Sequence, residues 1–296
     1  MHPRLIVASL LFATALVAHP LAGHGNDRPV LTGEITTHSV APDETWTSLA
    51  ASFGVEAATI AIDNQLSVDT PLEPGLELVI DNRHIAPAGL GDGEIVVNVP
   101  QKMLFYRDGA RVLAFPVAVG RATWHTPAGS FTVARKESDP AWHVPASIRA
   151  ESARKGKLLP LVVPPGPDNP LGRFWIGLSL AGIGIHGTPF PSSIYQNSTH
   201  GCIRLQADSI EDLYSRVTVG TLGRIVYEPV LMAVSGDAIY LEVHQDVYGR
   251  SPTPTARYAR ELANRLGVND RIDWPIADAE IERRAGVARR VSVTGE

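Results

Sequence analysis

With 296 residues, 44% of them hydrophobic and 19% charged, the chain has room for one large globular unit or two to three ordinary ones. A formal charge of -5 leaves no basic footprint, so nucleic acid is set aside as a partner. The 26 glycines and 23 prolines predict many turns, and the single cysteine has no partner within the chain.

Residues 1–25 read as a targeting segment. Arg4 supplies a short positive region, residues 5–17 form an almost unbroken apolar run, small residues follow, and the chain turns polar from His24. The run is too short to span a bilayer comfortably, and no cysteine near its end would carry a lipid. Ala13-Thr14-Ala15, Ala18 and Ala22 are rival cleavage points, and an uncleaved anchor is the other reading. No later stretch is apolar enough to cross a membrane, so the mature chain is expected in solution outside the cytoplasm.

The first folded unit is expected at residues 35–82. Residues 35–40 alternate like a strand; Pro42-Asp43-Glu44-Thr45 has turn and helix-start chemistry; Trp46, Leu49, Ala50 and Phe53 follow at helical spacing up to Gly54. A second short helix is expected at 57–63, and Pro74-Gly75 turns the chain into a strand at 76–80. This strand-helix-helix-strand order, with Thr45-Trp46, Phe53-Gly54-Val55, Asn64 and Pro74-Gly75 in place, resembles a LysM module. The resemblance implies binding of N-acetylglucosamine-containing glycan strands. Asp43-Glu44 stands where such modules usually carry Gly-Asp, and a spacer or packing partner is the plainer reading of the unit.

A Pro/Gly-rich linker at 86–93 separates this unit from a main domain at 94–230. Strands are expected at 95–99, 103–106 and 112–119, with Asp108-Gly109 as a hairpin signal, and again at 130–134, 174–178, 184–186, 221–227 and 239–244. Residues 139–170 are Pro-rich with no helix or strand pattern, which predicts a functional loop or lid. One helix is expected at 208–217, with Asp208 and Glu211 as a capping box and Ile210, Leu213, Tyr214 and Val217 on its apolar face. The class is mainly β, a sandwich or partly closed barrel. Residues 231–296 are expected to be an extension packed on it: a strand, then helices at 254–266 and 275–285 stopped by Gly267 and Gly286.

The chemistry gathers around the one cysteine. Cys202 lies in Ser198-Thr199-His200-Gly201-Cys202-Ile203-Arg204, sixteen residues after His186-Gly187. A thiol becomes a nucleophile when a base takes its proton, and histidine is the usual base, oriented through its other ring nitrogen. An acyl intermediate also needs backbone N–H donors at the attacked carbonyl, which glycines make accessible. His186 and His200 are two candidate bases, Gly187 and Gly201 open the backbone, and Arg204 can hold a carboxylate with two bonds. Each residue also has a plainer role: a small buried hydrophobe, polar packing residues, a surface charge. Zinc is a further possibility for His186, His200 and Cys202, without the usual structural spacing.

His186-Gly187-Thr188, followed fourteen residues on by the His200-Gly201 of Ser198-Thr199-His200-Gly201-Cys202-Ile203-Arg204-Leu205, resembles the signature of the L,D-transpeptidase (YkuD) catalytic domain. Gly120-Arg121, Thr126-Pro127-Ala128-Gly129, residues 164–172 and residues 240–244 extend the similarity across about 95–244. The resemblance implies a mainly β sandwich with the nucleophile beside a strand-to-helix connection. It makes Cys202 the nucleophile and His186 the general base, held by a backbone carbonyl near Gly187. His200 would support the site. Gly187, Thr188 and Gly201 would shape the oxyanion and substrate pocket, and Arg204 would orient the peptide. Pro189-Phe190-Pro191-Ser192-Ser193 departs from the Asn and Gly-rich stretch that relatives commonly carry, which bears on the acceptor.

The reaction so implied needs no cofactor. Cys202 attacks the third residue of a peptidoglycan tetrapeptide stem, D-alanine leaves, and an amine of a neighbouring stem takes the acyl group in a 3-3 cross-link. Water as acceptor would make the protein an L,D-carboxypeptidase, and a lysine of an outer-membrane lipoprotein would make it a wall anchor. A binding-only wall protein is the remaining reading. The implied setting is the periplasm of a Gram-negative bacterium, with carbapenem-type β-lactams as covalent inhibitors.

Overall fold

The computed structural model describes residues 28–251, 253 and 255–293, so the expected targeting segment lies outside the described residues. No helix among them is long and apolar enough to cross a membrane. The chain starts with β1 (Val30–Thr32), β2 (Ile35–Ser39), α1 (Trp46–Phe53), α2 (Ala57–Asp63), β3 (Glu77–Asp81) and β4 (His84–Ala86). β2 pairs with β3 and β1 with β4, both antiparallel. Thr45 caps α1: its side chain accepts from Ser48 N, and Ser48 Oγ accepts in return from Thr45 N at 2.8 Å. A reciprocal cap of this kind contributes roughly 1 kcal/mol. Asn64 ties α2 to β3, donating to Val79 O and accepting from Val79 N, each at 2.8 Å. Leu49, Ile60, Leu78 and Ile80 fill the core of this unit, which Ala285 and Val287 from the far end of the chain complete.

The main domain runs through β5 (Ile95–Asn98), β6 (Met103–Asp108), β7 (Arg111–Pro116), β8 (Val119–Gly120), β9 (Gly129–Ser138), β10 (Trp142–His143), α3 (Ala146–Arg154), β11 (Val162–Val163), β12 (Phe174–Leu178), β13 (Gly184–His186), β14 (Asn197–Thr199), β15 (Ile203–Arg204), α4 (Ala207–Arg216) and β16 (Leu222–Val226). Eight of these strands form one mixed sheet in the order β15-β13-β12-β9-β16-β5-β6-β7, making the fold mainly β. β5 is buried on both faces, which is why Ile95-Val96-Val97 shows no alternation. Ile95 and Val97 join the main core with Ile176, Ile185, Ile203 and the Ile210-Leu213 face of α4. On the opposite face, Val96, Met103 and Phe105 pack against Ala51 of α1 and against Ala86 and Leu90. Residues 86–93 are therefore packed between the two units rather than a free linker.

Three local expectations change. α4 begins at Ala207 with Gln206 at its N-cap and no side-chain cap, so Asp208 and Glu211 form no capping box; Asp208 instead faces the positive end of the helix dipole. The strand expected over 112–119 stops at Pro116, and β8 pairs in parallel with β14 instead. Residues 139–170 hold α3 and the β10–β11 pair where no pattern was visible. α3 buries none of its residues, so it has no apolar period to read.

The C-terminal part contains β17 (Val230–Ser235), β18 (Ala238–Val243), α5 (Thr255–Leu266), α6 (Trp274–Arg283) and β19 (Arg289–Arg290). Instead of one strand there is a three-stranded sheet, β17-β18-β19, with a core of its own against α5 and α6. The second helix is stopped not by Gly286 but by Arg284, which takes the left-handed conformation at φ 50°. This unit bears on the first one as well as on the β domain. Glu242 of β18 is fully buried; its Oε1 accepts from His84 Nδ1 at 2.7 Å, Gln101 Nε2 at 2.8 Å and His244 Nε2 at 2.8 Å, and its Oε2 from Ile85 N at 2.6 Å. One carboxylate thus gathers donors from all three parts of the chain.

Candidate active site

The site is set by the short parallel pair β13–β15. Their register aligns Ile185 with Ile203 and His186 with Arg204. Ile185 and Ile203 both enter the core, so strand alternation turns Cys202, His186 and Arg204 to the other face together. Gly201, at φ 110°, makes the turn that delivers Cys202 to this edge. Two threonines brace that turn. Thr126 Oγ1 donates to Gly201 O at 2.9 Å while accepting from Gly120 N at 2.8 Å. Thr199 Oγ1 donates to Cys202 O at 2.6 Å and accepts from Gly201 N at 3.1 Å. With Gly201 N so engaged, the Cys202 N–H is left without a protein partner among the described residues.

His186 is 4% exposed. Its Nδ1 donates to Gly187 O at 2.6 Å, which leaves the Nε2 lone pair free. Burial, reinforced by the charge of Arg204 and opposed by the Gly187 and Leu171 backbone, lowers His186 to about 3. The Trp175 ring stacks along the imidazole with centroids 5.8 Å apart. It reaches there over Gly184, where an added Cβ would fall 2.3 Å from the indole, so only glycine leaves the ring its place. Burial pushes the Cys202 thiol up, against a Gly184 backbone hydrogen bond and the charge of Arg204. Sγ lies 3.7 Å from Gly182 O, and no hydrogen bond joins it to His186. The resting pair is a neutral thiol beside a neutral imidazole.

Arg204 donates through Nη1 to Ser193 Oγ at 3.0 Å, and its buried Nε has no partner. No carboxylate pairs with it among the described residues. His200 lies differently: its Nε2 is 2.9 Å from Glu151 Oε2 and 3.1 Å from Arg121 Nη2, with Trp124 edge-on at 4.9 Å. Thr188 Oγ1 accepts from Phe190 N at 3.0 Å, and Gly187 packs toward Ile210 of α4.

A cavity of about 720 Å³ opens over these groups, lined by Cys202, His186, His200 and Arg204 but not by Gly187, Thr188 or Gly201. Its other walls include Trp124, Trp142 and Trp175, and the 139–170 stretch supplies part of its roof through Pro145, Ser147 and Ile148. No group of three His, Cys, Asp or Glu side chains among the described residues could hold a metal ion. Trp175 and Glu151 were not anticipated. Trp175 was within reach, because on β12 the core takes Phe174, Ile176 and Leu178 and alternation leaves Trp175 on the cavity side. Glu151 carries no local signal at all.

A half-buried thiol, an imidazole oriented by a carbonyl and a guanidinium awaiting an anion suit acyl transfer from a peptide with a free carboxylate. A family model for the L,D-transpeptidase catalytic domain (YkuD) matches residues 92–231, and one for the LysM domain matches residues 38–81. The chain is 33% identical to "Probable L,D-transpeptidase ErfK/SrfK" of Escherichia coli (strain K12), over 96% of this chain and 94% of that one. The protein of the same name from Salmonella typhimurium (strain LT2) is 32% identical, over 93% and 91%. Among solved structures it is similar to an L,D-transpeptidase from Mycobacterium tuberculosis H37Rv, at 18% identity and a TM-score of 0.35, over 72% of this chain and 97% of that one. The chain belongs to the L,D-transpeptidase family.

Proposed function

We propose that the protein is a periplasmic peptidoglycan L,D-transpeptidase, exported by its N-terminal segment, in which Cys202 carries the acyl group. The observation that supports this most is the β13–β15 register, which turns Cys202, His186 and the unpaired Arg204 into one cavity. Arg204 holds the terminal carboxylate of the donor tetrapeptide stem. His186 Nε2 takes the Cys202 proton as Sγ attacks the carbonyl of the third residue, and the Cys202 N–H faces the developing oxyanion. The peptide bond to D-alanine breaks, the protonated His186 returns its proton to the leaving amine, and a thioester remains. The side-chain amine of a neighbouring stem then attacks the thioester and gives a proton to His186, which passes it to Sγ as the carbon–sulfur bond breaks and a 3-3 cross-link forms. The bond energy of the cleaved peptide is kept in the thioester, so no nucleotide is consumed. The 38–81 module holds the glycan strand alongside.

Incubation with purified muropeptides, read by mass spectrometry, tests this. Dimers joined through third residues are expected. Cys202→Ala is expected to abolish both their formation and covalent labelling by a carbapenem, and undiminished turnover in that variant would sink the mechanism. Tripeptides alone would make water the acceptor. Unchanged muropeptides would point to a protein lysine as acceptor or to a wall-binding role.

A further inference from the structure

The stretch between β9 and β12 is pinned at its two ends. Buried Asn169 donates through Nδ2 to Pro140 O at 2.8 Å and Pro164 O at 3.1 Å, and Asp139 N donates to Arg173 O at 2.7 Å. Its middle is held in another way. α3 buries no residue, and Leu158 and Leu161 beyond it are exposed, so little apolar contact keeps this part down. Polar contacts do, and they converge on Glu151. Its Oε2 accepts from Arg121 Nη2 at 2.5 Å and from His200 Nε2 at 2.9 Å, and its Oε1 from Lys155 Nζ at 2.7 Å. Hydrogen bonds from Lys155, His200 and Arg121 lower the Glu151 carboxyl to about 2, so the contact persists through the neutral range.

The two outer partners of this carboxylate belong to the site. His200 is two residues before Cys202 on the nucleophile turn, and Arg121 donates its backbone N–H to Thr199 O of the same turn at 3.1 Å. Trp124, beside both, lines the cavity with the α3 residues Ser147 and Ile148. Releasing Glu151 would therefore detach α3 from the turn that carries Cys202, on the side where the cavity roof is made.

We propose that Glu151 is a positioning residue that latches the lid onto the nucleophile turn through Arg121 and His200, and so decides whether an amine or water takes the acyl group from Cys202. A thioester under a closed lid waits for an amine that is bound and aligned, whereas an open lid admits bulk water, which needs no alignment. The inference rests on the acyl-transfer reading of Cys202. Glu151 touches neither the donor nor the thiol, so its loss leaves the first half-reaction in place and alters the second.

The test uses the mature full-length chain with Glu151→Gln, and with Arg154→Ala as a control that removes a charge from the same helix away from the latch. Donor and acceptor muropeptides are supplied, and three quantities are read: the rate of Cys202 acylation, the ratio of tripeptide to cross-linked dimer, and hydrogen exchange of the α3 amides. In Glu151→Gln, acylation is expected to stay within about twofold, the tripeptide-to-dimer ratio to rise about fivefold or more, and the α3 amides to exchange faster while the sheet is unchanged. Arg154→Ala is expected to match the parent in all three. An unchanged product ratio or unchanged α3 exchange overturns the latch, and loss of acylation in a variant with a native sheet overturns it in favour of a direct role in the first step. If the parent itself forms neither thioester nor dimers, it is the acyl-transfer reading that has failed.

Discussion

His186 stays neutral because it is buried. Burial and the charge of Arg204 lower it to about 3, while burial keeps the Cys202 thiol up, so proton transfer between them belongs to the reaction and not to the resting state. The acid limb is therefore displaced downward from that of an ordinary catalytic histidine: the imidazole remains an acceptor as pH falls, down to about 3. We expect kcat/KM at pH 5 to lie within about twofold of its value at pH 7. A solvated histidine with a pKa near 6.5 would already have lost activity about thirtyfold at pH 5, and a drop of that size would refute the neutral pair. The residue types at 186, 200, 202 and 204 are readable in the chain because their spacing is local. That His200 turns to Glu151 rather than to Sγ is not readable, since its partner sits 49 residues away.

At the scale of elements, the two strands that carry the chemistry are only three and two residues long and take their register from Ile185 against Ile203. β13 is the strand expected at 184–186, but two-residue β15 shows no strand pattern in the chain, and neither does the parallel pairing. The lid is the converse case, with an expected position and an unforeseen content. Its base depends on Asn169, which is 1% exposed, donates to the carbonyls of Pro140, Val163 and Pro164 and accepts from Leu171 N at 2.9 Å. Asn169→Ala leaves those groups unpaired, and a loss of about 1–3 kcal/mol is expected from urea unfolding. A change below about 0.3 kcal/mol would mean that water substitutes for the amide there.

Across the whole molecule, the three parts are joined rather than strung together. Ala285 and Val287 complete the core of the first unit, Thr59 Oγ1 donates to Ala285 O at 2.7 Å, and Arg289 pairs with Asp81 at 2.8 Å. Glu242 is the centre of this junction. Burial acts to raise its carboxyl, but the charge of His84 and hydrogen bonds from His244 and His84 outweigh it and hold it at about 2. Removing one partner of a buried ion pair typically costs about 3–5 kcal/mol, so Glu242→Ala should lower the melting temperature of the entire chain in one transition. Because the folded pKa is depressed from 4.5 to about 2, this stabilisation is complete above pH 4.5 and fades as pH falls toward 2. The difference in melting temperature between parent and Glu242→Gln should thus narrow between pH 5 and pH 2.5, and a constant difference would assign Glu242 a purely packing role.

Determined along the chain alone were the two matched modules, the mainly β class and the residue types of the site, because each rests on spacings of a few to some sixteen residues that local backbone geometry converts directly into faces and turns. Decided only in three dimensions were the burial that sets His186 and Cys202, the Glu151 contact and the Glu242 junction. Desolvation and long-range pairing depend on which surfaces meet, and partners 30 to 226 residues apart leave no local pattern behind.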